Sequence, residues 1–269
     1  MALVRAAAIA GLFYPGSADE LARSVDAMLA AAQPCAGADA PKAIIAPHAG
    51  FIYSGAVAAS AYAQLAPARD RIKRVILLGP AHRVAIHGMA LPSAEAFATP
   101  LGVVPIDQDG VKTLIKLPFV GQNAEAHRLE HCLEVQLPFL QKMFGEFTLL
   151  PLAVGRASAG EVAQVLDLLW GDEETLIVIS SDMSHYLSYD EARVVDDGTA
   201  RAIVNLRTDI THHQACGATP VSGLTLLAQR RGLKPSLIDL RNSGDTAGDK
   251  SRVVGYGAFA FHEPGLAPH

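Results

Sequence analysis

Three strand-like apolar runs each hand over to a short loop that carries a histidine. Residues 42–46 lead into Pro47-His48-Ala49-Gly50, residues 74–79 into Pro80-Ala81-His82, and residues 175–180 into Ser181-Asp182-Met183-Ser184-His185. Imidazole is the commonest protein metal ligand and transfers protons readily near neutral pH. Asp182, three residues before His185, adds a carboxylate able to orient an imidazole acting as a general base or a ligand. The plainer reading is that Asp182 or Ser184 caps the following helix, and both roles fit because the loop offers more polar groups than one cap uses. Cys216 stands in His213-Gln214-Ala215-Cys216-Gly217-Ala218-Thr219-Pro220, ahead of a helix that Thr219 or Ser222 would cap. A thiol at a helix N-terminus is expected to ionise more easily, as a nucleophile or metal ligand must. An inert buried thiol is the competing reading.

A second constellation points elsewhere. His127-Arg128-Leu129-Glu130-His131 fits H-x-x-E-H, in which one helix presents two zinc-binding histidines and a glutamate base. No later Glu-rich helix stands out as a third-ligand source, so the zinc metallopeptidase formed by His127, Glu130 and His131 is the weaker alternative. His131 is read instead as lining a pocket from the start of the helix that runs on through Leu133 and Leu137. Glu130 and Glu134 are then first-turn acids favoured by the helix dipole. His87, His262 and His269 follow no motif, the His212-His213 pair faces solvent or supports Cys216, and Cys35 sits in a loop without partners.

The elements that must position these residues alternate along the chain. Helical patterns are expected from Ser17, with Glu20 at capping-box spacing, to Ala32, and over residues 54–65, 159–170, 189–206 and 221–231. Between them lie strand-like runs at 147–154 and 236–240, with a closing strand at 253–261, while residues 90–105 hold shorter strands or a hairpin without a clear place. Apolar runs between helices imply a sheet covered on both faces, a three-layer α/β/α sandwich with a mostly parallel or mixed central sheet. Ligands of such sheets collect at the carboxyl ends of the strands, so the three histidine loops are expected to converge.

Composition narrows the partners. The 269 residues are half hydrophobic and 18% charged, enough for one large core, and the chain is read as a single domain over residues 1–269. A net charge of −5 without a basic stripe argues against nucleic acid. Apolar stretches are strand-length, so no membrane span is expected. Residues 1–11 carry one positive charge and lead straight into Leu12-Phe13-Tyr14-Pro15-Gly16, a poor signal peptide. Three cysteines, Cys35, Cys132 and Cys216, make no disulfide framework, so a cytoplasmic location is expected.

Several strings together resemble the MEMO family, whose prokaryotic members are also called AmmeMemoRadiSam system protein B. They are Pro47-His48-Ala49-Gly50-Phe51-Ile52-Tyr53-Ser54-Gly55, Gly79-Pro80-Ala81-His82, Glu130-His131-Cys132-Leu133-Glu134-Val135-Gln136-Leu137-Pro138-Phe139-Leu140, Ser180-Ser181-Asp182-Met183-Ser184-His185-Tyr186, and Ser243-Gly244-Asp245 with Val253-Val254-Gly255-Tyr256. The likeness runs from Gly11-Leu12-Phe13-Tyr14-Pro15 to the last strand. That family is similar in fold to the class III extradiol (LigB-type) dioxygenases, and fold alone transfers no activity.

The resemblance implies that His48 and His82 stand at the two iron-binding histidines of those enzymes and Cys216 at their glutamate ligand. It puts His185 at the acid–base histidine with Asp182 beside it, and His131 in the substrate pocket. Cys216 is a departure from the dioxygenases that makes the donor set softer, so Fe(II) is expected first, with Cu or Zn also reasonable. Arg83 follows His82 where some members carry a second histidine. The function implied is a metal-binding protein, as an enzyme a dioxygenase-like oxidoreductase acting on a small, diol-like aromatic. The alternative is a non-catalytic metal- or peptide-binding protein with a vestigial cleft. The prokaryotic name implies a pathway link to AMMECR1-like and radical SAM proteins, and exposed apolar surface would permit an oligomer.

Overall fold

The computed structural model describes residues 3–33 and 39–264, so Cys35 and His269 lie outside the described residues. Its strands are β1 (Val4–Arg5), β2 (Ala43–Ala46), β3 (Arg74–Pro80), β4 (Met89–Leu91), β5 (Ala96–Thr99), β6 (Gly102–Pro105), β7 (Val120–Gln122), β8 (Thr148–Val154), β9 (Thr175–Ser180), β10 (His185–Leu187), β11 (Lys234–Asn242) and β12 (Val253–His262). Its α-helices are α1 (Ala18–Ala31), α2 (Ala56–Ala63), α3 (Gln108–Leu114), α4 (Ala124–Arg128), α5 (His131–Glu134), α6 (Leu137–Phe144), α7 (Ala159–Leu168), α8 (Tyr189–Val204) and α9 (Ala218–Arg231).

Nine strands form one mixed sheet in the order β10-β12-β2-β9-β3-β8-β4-β7, with β11 paired to β12. Its centre, β2, β9, β3 and β8, is parallel, whereas β12 runs antiparallel to β2 and β4 antiparallel to β8. Residues of β2 and β9 are buried along their whole length, as expected of strands covered on both faces. Helices α1, α2 and α6 pack on one another, and α7 packs on α9 against β3 and β9. Tyr62 of α2 stacks on Phe139 of α6 at 5.0 Å between centroids. The α/β sandwich therefore stands as expected.

Residues 90–105 resolve into the end of β4, a connection, and the β5–β6 hairpin, with β1 alongside β5 in a separate three-stranded sheet. Among the described residues, no helix is long and apolar enough to cross a membrane.

The caps differ from expectation. Ser17 precedes α1 but makes no side-chain cap bond. Helix α8 begins after Ser188, whose N–H and hydroxyl both donate to Glu191 Oε2, so neither Asp182 nor Ser184 is its cap. Helix α9 starts after Gly217 with no side-chain cap from Thr219 or Ser222. Asp182 is thereby left to engage the loop that carries His48.

Candidate metal centre

Because β2, β3 and β9 are parallel neighbours, their carboxyl ends deliver His48, His82 and the 181–185 loop to one edge of the sheet. The ring centroids of His48 and His82 lie 5.2 Å apart, those of His48 and His131 5.5 Å, and those of His82 and His131 4.6 Å. One ring nitrogen from each of the three falls within 4.8 Å of the others, close enough for a shared ion. Cys216 Sγ approaches His48 Nε2 at 3.3 Å. Nitrogen at about 2.0–2.1 Å and sulfur at about 2.3 Å from one metal would stand about 3.1–3.6 Å apart, the same separation. Cys216 is outside the three-histidine group but shares a cleft of about 520 Å³ with His82.

Hydrogen bonds decide which imidazole nitrogen is available. The Pro47 carbonyl only accepts, so the Gln136 amide presents its NH₂ there at 3.0 Å and donates its other hydrogen to Ser180 Oγ at 2.9 Å. The Gln136 oxygen accepts from Tyr62 Oη. Ser180 spends its one proton on the Cys132 carbonyl at 2.6 Å. His48 Nδ1, 3.0 Å from Ser180 Oγ, must then be the donor, which leaves a lone pair on the Nε2 that faces Cys216. His82 follows the same logic. Its Nδ1 and backbone N–H both donate to the Glu130 carboxylate, at 2.8 and 2.7 Å, freeing Nε2. His185 Nδ1 donates to the Met183 carbonyl at 2.9 Å.

His131 is different. Its Nδ1 lies 3.3 Å from Glu130 Oε1 without hydrogen-bond alignment and is a buried nitrogen with no hydrogen-bond partner. A buried unsatisfied nitrogen costs free energy in the absence of a partner, which a metal or ligand would supply. The free Nε2 of His82, the Nε2 lone pair of His48 and the His48–Cys216 spacing fit a bound metal ion.

Electrostatics keep His48 and His131 neutral. Burial, reinforced by the neighbouring His82, holds His48 well below the usual histidine value. Burial and the nearby His48 and His82 bring His131 down to about 4. Burial alone would raise Glu130, but the hydrogen bonds and charge of His82 outweigh it and hold the carboxyl at about 2. Asp182 is raised by burial; its Oδ1 accepts the His48 backbone N–H at 2.6 Å, fixing that loop. Cys216 corrects the expectation of an easily ionised thiol: burial and the Asp182 charge push it up to about 12. Desolvation exceeds the pull of the helix terminus, so the thiolate would need a metal to form.

The H-x-x-E-H string is not a single helix. Leu129 and Glu130 separate α4 from α5, and His127 turns away to bond the Ala90 carbonyl through Nε2 at 2.8 Å and pack on Phe97. Glu130 caps α5 through the Cys132 N–H while holding His82. Glu134 lies in the first turn of α5, as expected, and its carboxylate also has partners far away in sequence. Fully buried, it pairs with Arg5 at 2.6 Å and accepts from the Ala8 and Ile9 N–H groups and Tyr14 Oη. Arg5 also donates to the His127 and Glu130 carbonyls, so the N-terminal segment clamps the turn that presents His131.

Ser180, Gln136, Tyr62, Arg5 and Glu134 were not singled out as site residues from sequence. Polar residues inside apolar runs were the available signal for Ser180 and Gln136. His212 Nδ1 faces the Cys216 carbonyl at 3.3 Å, whereas His262 lies at the far end of the sheet in a different cavity.

Comparisons with known proteins agree with this frame. A profile of the family described as Memo-like protein matches residues 5–260. A MEMO1 family protein of Aquifex aeolicus is 38% identical over 270 residues, covering 96% of this chain and 99% of the relative. Another from Ignicoccus hospitalis is 34% identical over 292 residues, covering 97% and 100%. Among solved structures, an uncharacterized protein of Escherichia coli K12 aligns with a TM-score of 0.50 and 15% identity over 80% of this chain and 98% of its own, a likeness of fold alone.

Proposed function

The chain belongs to the Memo-like protein family, and from that premise we propose that it holds one metal ion, Fe(II) first with Cu or Zn as alternatives, through His48, His82 and Cys216. The observation that carries this reading is the His48 Nε2 to Cys216 Sγ separation of 3.3 Å beside three convergent imidazoles. The two-imidazole, one-thiolate set is softer than a carboxylate triad, which keeps copper and zinc in contention. When bound, Fe(II) would supply Lewis acidity toward a vicinal diol and redox chemistry with O₂.

Each residue then has a task. Glu130 aims His82, and Ser180 with Gln136 sets the His48 tautomer. His131 lines the substrate side, where Phe13 packs against its ring at 5.0 Å. His185, its Nδ1–H committed to the Met183 carbonyl, offers Nε2 as the base that takes a substrate proton and returns it. Asp182 anchors the His48 loop and faces the histidines with a buried carboxyl.

Anaerobic Fe(II) loading followed by oxygen-electrode assays on a catechol panel tests the enzymatic part. Wild type is expected to consume oxygen with at least one catechol, and His185→Ala to keep its metal and lose uptake. Full loading without oxygen uptake on any member would reduce the reading to a non-catalytic metal-binding cleft.

A further inference from the structure

We propose that the cleft beside the metal centre binds the anionic group, carboxylate or phosphate, of a small-molecule substrate on the Arg156 guanidinium. The chelating end of that substrate rests on the metal-site reading above; the anionic end rests on separate observations. The 520 Å³ cleft runs from His82 and Cys216 past Ile86, His87 and His212 to Arg156, and among the described residues no acidic one lines it. The arginine therefore enters the cleft without a lining carboxylate to neutralise it. Arg156 is exposed and enters none of the ion pairs among the described residues.

The backbone that carries the arginine is firmly held. It follows β8, the neighbour of the β3 strand that delivers His82. The segment is zipped to the His82 loop by Ala81 N–H to the Val154 carbonyl, Arg156 N–H to Ile86 and Gly88 N–H to Arg156, all at 2.9 Å. A Cβ at Gly155 would lie 2.3 Å from the Ile86 oxygen, so glycine is what permits this close approach. A planar guanidinium on a fixed backbone suits bidentate recognition of a carboxylate or phosphate.

Two measurements test the proposal. With metal-free protein, benzoate and phenyl phosphate are titrated by NMR; at least one is expected to shift the amides of residues 86–88 and 155–156 in wild type and not in Arg156→Ala, and the stronger of the two identifies the anion. With Zn(II)-loaded protein, which does not turn over, 3,4-dihydroxybenzoate is expected to bind at least tenfold tighter than 4-methylcatechol, a preference lost in Arg156→Ala and partly kept in Arg156→Lys. Equal affinity for the two catechols, or a preference that survives Arg156→Ala, overturns the inference. Should neither catechol bind because no metal is held, the metal reading fails, and the metal-free titration alone decides: Arg156-dependent shifts sustain the anion subsite and their absence overturns it.

Discussion

Replacing Cys216 by alanine should remove a proton release that accompanies metal uptake. Without metal, burial and Asp182 push the thiol from 9.0 to about 12, so the sulfur is protonated at pH 8. That shift lowers the thiolate population about 1,000-fold at any pH in the neutral range. The imidazoles move the other way: His48 is held well below its ordinary value of 6.5 and His131 at about 4, so both are already neutral. Metal capture by Cys216 must therefore displace about one proton, and affinity should rise about tenfold per pH unit from pH 7 to 8. Calorimetric Zn(II) titration in buffers of different ionisation enthalpy counts that proton. Wild type should release about one more proton than Cys216→Ala. Equal proton counts and equal pH slopes in the two proteins would refute the assignment of sulfur as a ligand.

Further outcomes follow from the same contacts. Arg5→Met strands the buried Glu134 carboxylate and should cost about 3–5 kcal/mol in urea denaturation, with much of the loss recovered in Arg5→Met/Glu134→Leu; a single-variant loss below about 1 kcal/mol contradicts the clamp. His48, His127 and His131 all have folded values below the unfolded one, so the unfolded chain binds more protons, and stability present above pH 6.5 is lost as pH falls toward 4. Three such groups give a slope of up to about 4 kcal/mol per pH unit, readable from urea midpoints across that window; a flat profile would show the histidines are not buried neutral. His127→Ala should leave metal stoichiometry unchanged while costing about 1–3 kcal/mol for the unpaired Ala90 carbonyl and lost packing. Ser180→Ala should weaken metal binding about 10–100-fold, with ¹⁵N NMR showing His48 no longer confined to its Nδ1–H tautomer; unchanged affinity and tautomer would dismiss the relay.

The strands and helices were legible because burial on both faces writes itself as uninterrupted apolar runs, and β2, β3, β8 and β9 fall where those runs do. Proline just after β2 and at the end of β3, with histidine close behind, marked the loops of His48 and His82. Caps were less legible: Ser17, Thr219 and Asp182 have the right chemistry, but whether a side chain turns back to its helix depends on competing tertiary partners. Glu134 shows the limit most clearly. Its partners Arg5, Ala8, Ile9 and Tyr14 come from more than a hundred residues away, so a pattern within one helix could not disclose them. The thiol of Cys216 likewise read as activated from its neighbours in sequence, while the burial that raises it comes from elements packed around it.

Metal content by elemental analysis of protein purified anaerobically, beside His48→Ala and Cys216→Ser, is the most direct test of the centre. Near-stoichiometric iron or copper in wild type, lost in both variants, is the predicted result. Metal absent from all three proteins, or retained undiminished in both variants, would contradict the site.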